Sequence, residues 1–250
     1  MSKMDKIMGG TVQRKEETIE DLMERWRKIS LAFEQQKSLD SMSDKDLEET
    51  RDYLGSAPEY IAYQQEPVTI DTLKSVLEDF DVQAKEAAAD PDAARLIPGM
   101  RKKLASDLFG IEDKINRYVA VLKKSEKEKF KFVRGEMDVD RDTKEAIADS
   151  VRVRNQAHDA LIDELKSLHG FFLRDTSLDD EELGKGKALG LASIGIKIPE
   201  EKMLPIDMLD KSRDKRDAVE RWATTNYFGS RAAAVLKQID DRQEKLKKAG

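Results

Sequence analysis

The chain has 250 residues, with 45 Lys and Arg against 51 Asp and Glu, a formal net charge of −6 and 38% charged residues. That charged share exceeds the roughly 25% of ordinary soluble domains, while 13 glycines and 6 prolines are too few for a many-turned β architecture. Cysteine is absent, which excludes disulfides, thiolate nucleophiles and Cys-ligated zinc, and no run nears the roughly 18 apolar residues of a membrane span.

The first residues, Met1-Ser-Lys-Met-Asp-Lys-Ile, lack the apolar segment of a secretory signal. A cytoplasmic protein, or part of a particle assembled inside the cell, is therefore expected. From about Arg14 to Lys37, Ile19, Leu22, Trp26, Ile29 and Phe33 recur at steps of three and four and draw one narrow stripe along a helix. Ser43 precedes Asp46 by three residues, an N-cap spacing, and Gly55 supplies a stop. Pro58 suits the first turn of a short helix through Tyr63.

A second seam, Ile70, Leu73, Leu77, Phe80, Ala84 and Ala87, starts behind Thr69, which can cap it. It is expected to stop near Asp90, with a short helix from Pro91 and a break at Pro98-Gly99. The third seam is Leu104, Leu108, Ile111, Ile115, Tyr118 and Leu122, helical despite Gly110. Beyond it the alternation in Lys129 to Arg134 reads either as a frayed helix end or as a short strand pairing with Ile196 and Ile198 in a minor two-stranded β ribbon. The fourth seam runs Ile147, Val151, Arg154, His158, Leu161, Leu165, Leu168 and Phe172. Gly184, Gly186, Gly190 and Gly195 then crowd one stretch, and helix returns from Asp214 to Tyr227 and Ser230 to Lys248. The organisation expected is a main helical bundle over 1–175, a Gly-containing hinge or contact loop over 176–203, and a C-terminal helical segment over 204–250. The fold class is all-α: an elongated bundle of coiled-coil-like helical hairpins with at most the minor ribbon.

Seams about two residues in seven wide are narrower than the roughly three in seven of helices around a bulky core, and this favours burial against a second copy or a partner helix. Arg154 and His158 lie one turn apart inside such a seam, where a polar layer fixing register between helices is the expected role. The stretch Arg154-Asn155-Gln156-Ala157-His158 also resembles the Arg-Asn…His signature of the HEPN family of helical nucleases. That resemblance implies a bundle dimer that cleaves RNA with Arg154 and His158. Arg154 and His158 enclose only three residues, fewer than the family's usual spacing; Arg152 restores the spacing, but Val153 follows it where the family has a polar residue.

Lys123 to Arg134 holds six basic and two acidic residues. Here Lys127, Lys129, Phe130, Lys131, Phe132 and Arg134 could follow a phosphate backbone while the rings stack on bases, although the acidic balance of the whole chain disfavours nucleic acid as the main partner. Asp138, Asp140 and Asp142 fail the calcium-loop pattern at its glycine and its terminal glutamate, and they suit a helix start. His158 and His169 are the two histidines, too far apart for a His-x-x-x-His metal pair, and Gly184 to Gly190 lacks P-loop order. No catalytic residue, metal site or cofactor is expected, and no membrane partner. The reading is a non-enzymatic structural or adaptor protein, of a virion or other assembly, that meets itself or a protein partner through Ile19, Leu22, Trp26, Ile29, Phe33, Arg154 and His158. Its rivals are a nucleic-acid-associated helical protein and a HEPN-like RNase.

Overall fold

The computed structural model describes residues 42–133, 141–175, 189–212 and 216–249. Their α-helices, in chain order, are α1 (Asp44–Gly55), α2 (Pro58–Gln65), α3 (Ile70–Ala87), α4 (Pro91–Val133), α5 (Arg141–Leu173) and α6 (Arg216–Ala249), with short 3₁₀ turns at Leu191–Ile194, Glu200–Lys202 and Ile206–Met208. There is no strand among the described residues. The chain is all-α.

The chain divides into two compact units, one of Gly55–Ala234 and one of Met1–Leu54 with Val235–Gly250. In the second, Ser43 caps α1: its Oγ accepts from the Asp46 amide at 3.2 Å, while the Asp46 carboxylate accepts from the Ser43 amide at 3.4 Å. This is a capping box with Asp in the place of Glu. Leu47, Val235 and Ile239 are buried, and Arg51 pairs with Asp240 at 3.2 Å.

The first unit is built on α4 and α5. Tyr118 lies against His158, and Lys114 binds Glu164, so positions later in α4 meet positions earlier in α5 and the pair is an antiparallel hairpin. Its core takes Leu104, Leu108, Ile111, Ile115, Val119 and Leu122 from α4 and Leu161, Ile162, Leu165, Leu168 and Phe172 from α5. These faces are wider than the seams read from sequence, because Val119 and Ile162 join them. On α3 the buried residue after Leu73 is Val76, with Leu77 partly buried. Thr69 caps α3, its Oγ1 accepting from the Thr72 amide at 3.0 Å.

One sequence expectation is corrected. The helix does not break at Pro98-Gly99: α4 is continuous from Pro91 with Pro98 inside it. An interior proline costs about 3 kcal/mol, but Ala93, Met100 and Leu104 are buried on both sides of it at helical spacing, and their packing holds the helix across the missing N–H. Of the two readings of Lys129 to Arg134, the helix end is the one found, since α4 carries helix through Val133 and no ribbon with Ile196 and Ile198 forms among the described residues. Ile196 and Ile198 are buried around an exposed Lys197, the alternation of an extended segment. The partner is a side chain: Gln83 Oε1 accepts from the Lys197 amide at 2.9 Å and Gln83 Nε2 donates to the Lys197 carbonyl at 2.8 Å. One amide thus makes both bonds a neighbouring strand would make.

Residues 216–234 of α6 seat on this unit through buried polar bonds. Trp222 Nε1 donates to the Val68 carbonyl at 2.7 Å, and the Ile70 amide donates to Asn226 Oδ1 at 2.7 Å. The start of α3, where amides lack helical partners, is therefore closed by a side chain of α6.

Candidate functional site

Inside the Gly55–Ala234 unit, residues of α4, α5 and the first turns of α6, with Lys211, line an open cavity of about 570 Å³. It is lined by Tyr118, Arg154, Asn155, His158, Lys211, Arg216, Asp217 and Glu220. The helical step that puts Arg154 and His158 on one face of α5 aims both at the same cavity.

His158 is 2% exposed. Its Nε2 lies 3.2 Å from the carbonyl of Arg216, and because a carbonyl only accepts, Nε2 carries the proton. Nδ1 is buried without a hydrogen bond. Asp159 Oδ1 stands 3.6 Å from it, beyond hydrogen-bond reach, and already accepts from Arg216 Nη2 at 3.2 Å. Tyr118 meets the imidazole edge-on with ring centroids 5.5 Å apart, and its hydroxyl donates to Glu220 Oε2 at 2.6 Å. Burial, and next that bond to Glu220, push the Tyr118 phenol well above the ordinary tyrosine range, so Tyr118 acts as a donor and not as a base.

The cations of the site are unequally paired. Lys211 binds Asp163 at 2.6 Å and Arg216 binds Asp159 at 3.2 Å. Arg154, with a side chain 24% exposed, is 3.8 Å from Glu126 and 3.4 Å from Asn155 Oδ1. Both contacts are long for a guanidinium with five donors.

Of the positions singled out from sequence, the structure brings Arg154 and His158 to one site. Ile19, Leu22, Trp26, Ile29 and Phe33 lie outside the described residues, as do Arg134 and the side chains of Lys127, Lys129, Phe130, Lys131 and Phe132. At the described start of that basic segment, Lys123 places its ammonium 4.7 Å from the Tyr227 ring and 4.8 Å from the Phe228 ring. Burial, and then the nearby Arg231, lower its pKa. Lys211, Arg216, Asp217 and Glu220 were not singled out from sequence; they reach the site only because α6 returns to α5, and nothing in their local spacing signals that. Tyr118 carries a signal only as a seam residue. Among the described residues no group of three or more His, Asp or Glu side chains could hold a metal ion, and no helix is long and apolar enough to cross a membrane. In comparisons with protein-family models, curated proteins and solved structures, nothing matches this chain.

Proposed function

We propose that the protein is a non-enzymatic helical structural or adaptor component that assembles with itself, or with a protein partner in a larger complex such as a virion, by burying amphipathic helix faces. The observation that carries this reading is the state of His158. Its ring is buried at the meeting of α4, α5 and α6, and its proton is spent on the Arg216 carbonyl. A histidine placed this way fastens helices. A general base needs a nitrogen within reach of a substrate proton, and here Nε2 is bonded to the Arg216 carbonyl and Nδ1 is buried without a hydrogen bond. The Ile19 to Phe33 stripe adds a sequence argument for assembly.

The reading is tested by the solution mass of the full chain with and without single-stranded RNA, run beside a ribonuclease assay of wild type and His158→Ala. An oligomer that is indifferent to RNA and leaves it intact is the expected result. Cleavage by the wild type that vanishes in a folded His158→Ala would replace this reading with the nuclease one.

A further inference from the structure

We infer that the open cavity bordered by α4, α5 and the start of α6 binds a small carboxylic acid, whose carboxylate is held by Arg154. The inference is independent of the assembly reading. The volume, about 570 Å³, falls in the ~300–1,000 Å³ range of small-molecule pockets and leaves room for more than the carboxylate group itself.

Arg154 carries the argument because it is the under-bonded cation of the site. Lys211 is closed by Asp163 at 2.6 Å and Arg216 by Asp159 at 3.2 Å, so the charge of each is already matched. Arg154 keeps 24% of its side chain in solvent, and its contacts among the described residues are Asn155 Oδ1 at 3.4 Å and Glu126 Oε1 at 3.8 Å. The second of these is beyond hydrogen-bond reach, and Glu126 is not part of the cavity lining. A half-buried guanidinium elsewhere in the chain is bonded far more closely: Arg231 donates to the Tyr227 carbonyl at 2.7 Å and to Asn116 Oδ1 at 2.8 Å, and lies on the Tyr227 ring. A guanidinium drawn out of water needs acceptors, and the open cavity is the side from which they can reach Arg154.

The balance of charge selects the acceptor. With Lys211 and Arg216 matched, Arg154 offers one positive charge spread over a planar fork. A carboxylate brings one negative charge on two coplanar oxygens and meets that fork with two parallel hydrogen bonds. A phosphate monoester carries nearly two charges at neutral pH and would share the cavity with Asp217 and Glu220. Their repulsion grows in proportion to the ligand's charge, so it weighs about twice as heavily on a dianion as on a monocarboxylate.

The test is an NMR titration of the ¹⁵N-labelled full chain, slightly above neutral pH, with acetate, lactate, gluconate, lactamide and inorganic phosphate. The signal followed is the Arg154 Nε–H, assigned by its loss in Arg154→Gln. Lactate is expected to shift it saturably, lactamide, which has the same frame without the charge, to leave it in place, and inorganic phosphate to bind more weakly than lactate. Gluconate binding above acetate extends recognition to the body of the acid, and equal affinities confine it to the carboxylate; both uphold the site. In ligand-observed spectra Arg154→Gln should weaken lactate roughly tenfold or more. Asn155→Asp, which sets an internal carboxylate beside the guanidinium, should weaken it as well, so that two different variants report on one group. No saturable shift with any carboxylate at millimolar concentration, an equal response to lactamide, phosphate binding above every carboxylate, or lactate affinity unchanged in both variants would overturn the inference.

Discussion

Replacing Gly229 with Ala would normally strengthen a helix interior, by up to about 1 kcal/mol. Here α6 passes so close to α2 that a methyl group on residue 229 would sit 2.2 Å from Cβ and 2.3 Å from Cγ of Tyr63. Those atoms belong to the root of a buried side chain, so rotation about χ1 cannot move Cβ away. The far end is held too, since the Tyr63 hydroxyl donates to Asp71 at 2.5 Å. Relief must come from the backbones, and overpacking of that kind costs about 1–3 kcal/mol. With the clash at the severe end of that range, Gly229→Ala should lose about 2 kcal/mol net after the propensity gain. Gly110→Ala in α4 is the matched control. Its added methyl meets nothing nearer than Glu164 Oε1 at 3.5 Å, so it should gain up to about 1 kcal/mol. Urea denaturation followed by circular dichroism, with the m-value checked for constancy, measures both. If Gly229→Ala raises the midpoint as Gly110→Ala does, the close approach of α2 and α6 is wrong.

Trp222→Phe removes the donor to the buried Val68 carbonyl while keeping most of the ring, and should cost about 1–3 kcal/mol by the same urea assay. His158→Ala leaves the Arg216 carbonyl without its partner and opens a hole beside Tyr118; a loss of about 2–4 kcal/mol is expected with no change in RNA integrity. Glu66 has its pKa raised by burial against a smaller opposing pull from Arg221. An acid raised in this way adds stability only below its unfolded pKa and loses it as pH rises through the folded value. Glu66→Gln should accordingly raise the melting temperature near neutrality and leave it unchanged below the ordinary carboxylate range, as thermal scans across pH would show.

Much of the fold was legible in the sequence because the signals were local. Thr69, the Ser43/Asp46 pair and the step from Leu104 to Leu122 each act within a turn or two of helix. Pro98 was misread because its cost is local while the compensation, burial of Ala93 and Met100 on either side, comes from packing. Ile196 to Ile198 was correctly read as alternating, but alternation does not name a partner, and an amide from α3 took the place of a strand. The site was half legible for the same reason. Arg154 and His158 stand out as polar residues in an apolar register, whereas Arg216 and Glu220 gain meaning only when α6 comes back against α5. No spacing within 216–220 announces that contact.

The claim that this chain assembles through its helix faces is tested most directly by multi-angle light scattering of the full protein over a range of concentrations, alone and with single-stranded RNA. The account predicts a mass above that of one 28.4 kDa chain, unchanged by RNA and lowered toward one chain by Trp26→Glu. A mass of 28.4 kDa at every concentration, rising only when RNA is added, would contradict it.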